Sequence, residues 1–199
     1  MDDIASVRRD HDSYTFGPPE PLMPPLREWT VADLAGLPDD GLQYELLDGL
    51  LLVSPAPVPL HQRVLGNLYL ALRAACPTSM EVFMAPLDWQ PDLNTSLQPD
   101  LLVVRNEDVG TKNITAALVL AVEIVSPSTR RKDLLLKRSK YEEAGVSSFW
   151  TVDPDRPSYT AFELVNGGYR TEAEAVDDEI LELTTPFPLQ LSPGRLVTR

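Results

Sequence analysis

The chain has 199 residues, and its 30 acidic and 17 basic side chains give a formal net charge of −13. Apolar residues make up 43% of the sequence, which argues against wholesale disorder and predicts one globular domain. The acidity argues against a protein that coats nucleic acid or an anionic membrane. A lone cysteine, Cys76, excludes an intramolecular disulfide and a cysteine-rich zinc site.

Hydropathy along the chain predicts a cytoplasmic protein with no membrane partner. The first residues lack the apolar core of a signal peptide, and no apolar run reaches the roughly 18–20 residues that span a bilayer. We expect a flexible tail over residues 1–27, where five prolines block helix and ladder formation. Residues 28–192 are predicted to form a single domain, and residues 193–199 a C-terminal tail.

The first predicted elements are a short helix, a hairpin and a longer helix. Thr30 is expected to cap a helix over 31–37. Asp48 and Gly49 stand between two apolar runs, a pattern that favours a two-residue hairpin turn within residues 44–53. Apolar residues then recur with helical spacing from His61, and Pro77 ends that helix.

The remaining pattern is mostly extended. Strands are predicted over 80–89, 101–104, 116–125 and 147–152, a helix over 130–144, a hairpin over 159–175 and an extended stretch over 180–191. The stretch over 116–125 is apolar enough for a strand that is buried on both faces. Many strands and about three helices predict an α/β (α+β) fold, a mixed sheet flanked by helices.

Two acidic residues stand out because of where they lie in this pattern. Glu123 is near the end of the apolar strand, where an ionised carboxylate is costly unless it is paired or bound to a cation. The alternative is that the strand emerges into solvent at Glu123. Asp100 follows Pro99 and precedes a strand, a place where Asp also occurs simply as a turn residue. Brought together at the ends of adjacent strands, Asp100 and Glu123 would form an oxygen site suited to Mg²⁺ or Mn²⁺.

A cluster of basic residues follows the strand that contains Glu123. Residues 130–140 contain six bases and one acid, a local charge of +5, whereas the rest of the chain carries −18. Asp133, Lys137 and Tyr141 share one face of the predicted helix. Such a run is often only a solvated helix face with an Asp–Lys pair. Beside two carboxylates, it predicts a narrow cationic strip for phosphate groups on an otherwise repelling surface.

The ordered set of motifs resembles a known family from about Trp29 to about Leu189. The motifs are Tyr44-Glu45-Leu46-Leu47-Asp48-Gly49, His61-Gln62-Arg63, Gln98-Pro99-Asp100, Glu123-Ile124-Val125-Ser126-Pro127-Ser128-Thr129, Arg131-Lys132-Asp133-Leu134, Lys137 with Tyr141, and Gly145-Val146 leading to Phe149-Trp150-Thr151-Val152-Asp153-Pro154. They resemble the bacterial "putative restriction endonuclease" family of the PD-(D/E)XK nuclease superfamily. This resemblance implies a restriction-endonuclease-like core.

The resemblance also implies a set of site residues. Asp100 and Glu123 match the acidic metal ligands, and the main-chain carbonyl of Ile124 would join them around Mg²⁺ or Mn²⁺. The superfamily places a lysine two residues after the second acid, but Val125 stands there in this chain. Members of this family carry that lysine on the next helix, where Lys137 matches it.

Other positions carry expectations that the resemblance leaves more open. Lys132 is the alternative to Lys137 as the site lysine. Glu45 matches an early acid that completes the site in related nucleases, and its alternative is a surface residue of a hairpin. Supporting roles around the site are expected for His61, Gln98 and Tyr141, with a helix-start role also open for His61.

The sequence therefore predicts a metal-dependent endonuclease that cleaves phosphodiester bonds, with nucleic acid, most simply DNA, as its partner. Neighbouring phosphates would be bound by Arg130, Arg131, Lys132 and Arg138. A homodimer is a natural expectation for cutting two strands. Two alternatives remain open at this point: a non-catalytic module that binds nucleic acid or protein on a nuclease scaffold, and a metal-dependent hydrolase of small phosphoesters.

Overall fold

The computed structural model describes residues 27–125 and 132–198. Within these ranges, the α-helices are α1 Val31–Leu34, α2 Pro59–Ala75, α3 Lys132–Glu143 and α4 Pro193–Val197. Twelve strands run over β1 Gln43–Leu47, β2 Leu50–Ser54, β3 Met80–Met84, β4 Trp89–Asp92, β5 Thr95–Leu97, β6 Leu101–Arg105, β7 Leu120–Ile124, β8 Ser148–Asp153, β9 Ser158–Val165, β10 Gly168–Val176, β11 Leu181–Leu183 and β12 Leu189–Leu191.

The strands form a large mixed sheet, a smaller antiparallel sheet and a hairpin. The six-stranded sheet has the order β10-β9-β8-β7-β6-β3, and its central pair β7 and β8 is parallel while the other pairs are antiparallel. The four-stranded sheet has the order β2-β1-β5-β4, and β11 pairs with β12. Helix α3 lies between β7 and β8 in the chain, as a parallel pair requires a crossover connection.

The two faces of β7 bury different layers of the molecule. Leu120, Val122 and Ile124 join the core beneath α2, whereas Ala121 joins the core that contains Tyr141 of α3. Side chains alternate between the faces of a strand, so Glu123 lies on the same face as Ala121. This alternation places the Glu123 carboxylate on the α3 side, in the layer that also holds the small sheet.

The β1–β2 and β9–β10 hairpins form where the sequence predicts them. Asp48 and Gly49 have φ values of 47° and 78°, and Asn166 and Gly167 have φ values of 54° and 80°. Both turns therefore use the left-handed backbone region that Asn, Asp and Gly tolerate. The β1–β2 turn matters for the site because it fixes where β1 ends.

Three parts of the fold differ from the sequence-based expectation. The strand expected over 80–89 ends at Met84, because Pro86 has no amide hydrogen, and β4 then joins the other sheet. Residues 193–199 are not simply a tail: Pro193 and Leu196 of α4 are buried, and Leu196 belongs to the core beneath α2. The short helix α1 ends at Leu34 rather than Leu37.

Several expectations concern parts of the chain that are not described. The predicted tail up to residue 26, together with Arg130 and Arg131, lies outside the described residues, and so do the side chains of Lys132 and Asp133. Within the described ranges, no helix is both long and apolar enough to cross a bilayer.

Helix α2 offers a matched test of the core packing. Leu68 is fully buried beneath the large sheet, whereas Leu70, two residues later, is 66% exposed. Leu68→Ala should lower the free energy of unfolding by about 2–5 kcal/mol, because it removes buried methyl groups and leaves a cavity. Leu70→Ala should change it by about 0.5 kcal/mol or less. Denaturant unfolding measures both, and equal losses would contradict the assigned face of α2.

Candidate functional site

Strand pairing brings Asp100 and Glu123 side by side. Strand β6 is antiparallel to β7, with Leu101 opposite Val122, so Asp100 at the start of β6 lies beside the end of β7. The amide of Ile124 donates a 2.7 Å hydrogen bond to Asp100 Oδ2. The convergence expected from the sequence is therefore present in the fold.

Glu123 is buried rather than solvated. The residue is 9% exposed, its Oε1 accepts a 2.7 Å hydrogen bond from the Tyr141 hydroxyl, and Lys137 Nζ lies 3.2 Å from the same oxygen. The alternative that the strand emerges into solvent at Glu123 is wrong. Burial raises the pKa of Glu123 to about 7, with Asp100 and Glu45 adding to the rise and Lys137 opposing it.

Lys137 links two acids from two different sheets. Its Nζ donates to Glu45 Oε1 at 2.8 Å and to both oxygens of Glu123 at 3.2 and 3.3 Å. Burial lowers the pKa of Lys137, but attraction to Glu123 and Glu45 outweighs it and raises the pKa above its usual value. The ammonium is therefore charged at neutral pH, and Lys137 acts here as a hydrogen-bond donor.

Glu45 belongs to this site and is not a surface residue of its hairpin. It lies on β1, is 4% exposed, and accepts a 2.7 Å hydrogen bond from the main-chain amide of Gln98. The side chain of Gln98 donates to Asp88 Oδ1 at 2.8 Å. Gln98 therefore supports the site mainly through its backbone, just ahead of Asp100.

Tyr141 is held by aromatic packing on both sides. Its ring centroid lies 5.3 Å from the rings of Trp89 and Phe149, and the residue is fully buried. Burial and the negative charge of Glu123 raise the pKa of its hydroxyl well above the usual value. The hydroxyl therefore stays protonated and orients Glu123.

His61 contacts the other acid of the pair. It lies in the first turn of α2, and its Nε2 is 3.2 Å from Asp100 Oδ1. Burial lowers the pKa of His61, whereas the hydrogen bond and charge of Asp100 raise it, and the net direction is upward. Its buried Nδ1 has no hydrogen-bond partner among the described residues.

A small cleft, partly open to solvent, adjoins these side chains. Its lining combines the three charged groups Glu45, Glu123 and Lys137 with apolar residues. The other lining residues are Leu52, Ser54, Ile124, Val125 and Leu134. The main-chain amide of Ile124 lies beside Asp100, and Ile124 lines the same cleft as Glu45 and Glu123.

The prediction of a cationic surface strip over residues 130–140 is wrong for two of its six basic residues. Lys137 and Lys140 are buried and paired with carboxylates, so neither presents its charge on the surface. Arg138 is half-buried, with its guanidinium 4.3 Å from the centroid of the Phe162 ring. Lys132 begins α3, and its role as the alternative site lysine lies outside the described side chains.

The Lys140 cluster is a feature that the sequence-based reasoning missed. Lys140 Nζ lies 2.6 Å from Asp48 Oδ1 and 2.9 Å from Asp92 Oδ2. The available signal was the spacing of Lys140, three residues after Lys137 and so on the same helix face. The hairpin pattern predicts Asp48 only as a turn residue and gives no sign of a role for its carboxylate.

The acids suit a divalent cation in chemistry but do not form a tight ligand cluster. Among residues 27–125 and 132–198, no three Asp, Glu, His or Cys side chains converge as metal ligands do. Lys137 lies between Glu45 and Glu123 and occupies the space where their oxygens would meet. Three carboxylates nevertheless exceed the charge of one ammonium, and carboxylate oxygens are what Mg²⁺ and Mn²⁺ prefer.

Comparison with known proteins places the chain in a family. A sequence model of the Uma2 family, described as "Putative restriction endonuclease", matches residues 31–197. The chain belongs to the Uma2 family. No curated protein matches it.

One similar solved structure is described as a putative nuclease belonging to DUF820 from Anabaena variabilis. It has a TM-score of 0.69 and 18% sequence identity, and the match covers 85% of this chain and 97% of that one. At this identity the likeness concerns the fold, a nuclease-like mixed α+β architecture. The family and the fold expected from the sequence are both confirmed.

The raised pKa of Glu123 predicts how stability depends on pH when a chelator is present. The pKa of Glu123 is about 7 in the folded protein against a usual 4.5, so the folded state binds the proton more tightly. Stability should therefore fall as pH rises from about 4.5 to about 7, by an amount on the order of 3 kcal/mol from this group. Glu123→Gln should remove that part of the fall. Urea unfolding across this range checks it, and a constant difference between variant and wild type would contradict it.

Proposed function

We propose that this protein is a divalent-metal-dependent endonuclease that hydrolyses phosphodiester bonds in DNA. The observation that carries the proposal is that Glu45 and Glu123 flank the buried ammonium of Lys137, while Asp100 lies beside the end of the strand that holds Glu123. Membership in a family described as "Putative restriction endonuclease" supports the same chemistry. A buried acid and base set beside a cavity is typical of a catalytic site.

Asp100, Glu123 and the carbonyl of Ile124 are the groups that would hold Mg²⁺ or Mn²⁺. Such a cation, when bound, polarises a phosphate oxygen and lowers the pKa of water. The excess of negative charge at the site supports this assignment, because the charges of Asp100 and Glu45 raise the pKa of Glu123 while Lys137 supplies one positive charge. A bound cation would relieve that repulsion.

Lys137 acts in this proposal by stabilising charge. Its ammonium stays protonated, so it donates hydrogen bonds to the phosphate oxygens, where negative charge builds during attack by water. Glu45 holds the ammonium from the side of the small sheet, and the Gln98 amide in turn fixes Glu45. Glu45 therefore serves Lys137 rather than a second cation.

The remaining contacts keep the two acids in a fixed geometry. Asp100 has one oxygen engaged by the Ile124 amide and the other by His61. Glu123 is oriented by the Tyr141 hydroxyl, whose ring is clamped by its aromatic neighbours. These hydrogen bonds leave oxygen lone pairs free, and preorganised ligands of this kind strengthen a metal site.

DNA is the substrate we propose. The phosphates next to the cleaved bond would be bound by basic side chains in and just before α3. The candidates are Arg130, Arg131, Lys132 and Arg138. Few such contacts imply weak binding that falls steeply with salt. A homodimer, with one centre for each strand, is part of the same proposal.

Conservative substitutions at the two acids test the catalytic role. Asp100→Asn and Glu123→Gln keep the shape of each side chain but remove its charge. Each should reduce Mg²⁺-dependent nicking of supercoiled plasmid DNA by about 100-fold or more, because the charge that the transition state needs is lost. Gel electrophoresis of nicked and linear products measures the rate.

Asp155→Asn is the matched control, since Asp155 is an exposed acid outside the site. It should cleave at the wild-type rate. Wild-type cleavage that survives in both Asp100→Asn and Glu123→Gln would contradict the site. Hydrolysis confined to small phosphoesters, with no activity on plasmid or oligonucleotides, would contradict the substrate.

Binding of Mn²⁺ separates an enzyme from a metal-free binding module. Calorimetric titration should detect Mn²⁺ binding to the wild type, and Asp100→Asn should weaken it by about 10–100-fold. Asp155→Asn should leave the affinity unchanged. Equal affinity in the wild type and Asp100→Asn would place the cation elsewhere.

A further inference from the structure

Helix α3 is not attached by a broad apolar stripe. Leu135 and Leu136 are 59% and 42% exposed, and Leu134 is only partly buried. A surface helix normally positions itself through a continuous apolar face, and α3 lacks one. Its placement must therefore depend on the few side chains that point inward.

Those inward contacts lie on one face of α3 and are mostly polar. Lys137, Lys140 and Tyr141 are spaced so that they share a side of the helix, and all three are buried. Lys137 contacts Glu45 and Glu123, and Tyr141 also contacts Glu123. Lys140 makes no such contact, so its function is separate from the acids of the site.

Lys140 instead joins two turns of the small sheet. Asp48 lies in the β1–β2 turn, and Asp92 ends β4 ahead of the next turn. Burial lowers the pKa of Lys140, but hydrogen bonds to Asp48 and Asp92 outweigh it and raise the pKa, so the group stays charged. Thr95 Oγ1 is 3.4 Å from Asp48 Oδ1 and 3.2 Å from Asp92 Oδ2, so its single hydroxyl hydrogen lies between the two carboxylates and can be donated to one of them at a time.

Both lysines fix α3 to the same strand. Glu45 is in the middle of β1, and Asp48 follows the end of that strand. Lys137 pairs with Glu45 and Lys140 pairs with Asp48, so α3 contacts β1 and its turn at two points. The two points are three residues apart on the helix and three residues apart along β1 and its turn. A shift of one residue along a helix rotates a side chain by about 100° and moves it by about 1.5 Å, enough to break either contact.

We propose that Lys140 is a positioning residue, whose ion pairs with Asp48 and Asp92 hold α3 in register with β1 so that Lys137 lies between Glu45 and Glu123. This proposal has two parts. The effect of Lys140 on catalysis rests on the proposed nuclease function, whereas its effect on the placement of Lys137 is independent of any activity. The two parts can be measured separately.

The structural part is tested by NMR of the lysine side-chain ammonium groups, with Lys137→Met identifying the Lys137 signal. A buried, paired ammonium exchanges its protons slowly with water. Lys140→Met should speed exchange at Lys137 by about tenfold or more, since Lys137 loses its fixed partners. Lys112→Met, which removes an exposed lysine, should leave the signal unchanged. Unchanged exchange in Lys140→Met would overturn the proposal.

Asp48→Asn breaks the same ion pair from the other side, so it tests the proposal even if the Lys140 variant fails to fold. Asn tolerates the left-handed backbone at this position, so the turn is kept while the ion pair is lost. This variant should also speed exchange at Lys137, and a folded Asp48→Asn protein with wild-type exchange would count against the proposal.

Kinetics test the catalytic part. Lys140→Met should lower kcat for plasmid nicking by about tenfold with KM changed by about twofold or less, and Lys140→Arg should restore much of the rate. In a Lys137→Met background, Lys140→Met should cause no further loss, because Lys140 acts through Lys137. Multiplicative losses, or a lower Tm with unchanged kcat, would overturn it. If the wild type cleaves nothing, the nuclease function fails, and the exchange measurement still decides the placement of Lys137.

Discussion

The buried ion cluster of Lys137, Glu45 and Glu123 is the interaction on which the site depends. Glu45 comes from the small sheet, Glu123 from the centre of the large sheet and Lys137 from the helix between β7 and β8. Each charge is buried, and a buried charge without its partner costs several kcal/mol. The cluster therefore couples the packing of β1, β7 and α3 to the formation of the site, because the three charges are compensated only when these elements are packed together.

This arrangement changes the meaning of the chain's charge. The net charge of −13 and the basic run over 130–140 predict a surface strip for phosphates. Lys137 and Lys140 are instead buried and paired with carboxylates, and the carboxylates that pair with Lys137 are buried as well. Attraction of a polyanion would then depend on the divalent cation and on a few arginines. Under the proposed function, DNA would bind weakly outside the site, and cleavage would require a divalent cation held by the acids.

The sequence predicts much of this fold for identifiable reasons. The turn residues Asp48-Gly49 and Asn166-Gly167 locate the β1–β2 and β9–β10 hairpins. The apolar run around Glu123 locates the central strand β7. The proximity of Asp100 and Glu123 could be predicted because Asp100 directly precedes one strand and Glu123 lies near the end of another. The four-stranded sheet escaped prediction because β4 and β5 are three or four residues long and lack a clear alternation. The partners of Lys140 escaped because contacts between residues more than forty positions apart leave no periodic signal in one sequence.

The central claim is that Asp100 and Glu123 hold a divalent cation for phosphodiester hydrolysis. A crystal soaked in Mn²⁺ and measured at the manganese absorption edge tests it most directly. The account predicts an anomalous peak in contact with carboxylate oxygens of both residues. The account would be contradicted if Mn²⁺ gave no peak there while soaking at a concentration that supports cleavage, or if the peak lay away from both carboxylates.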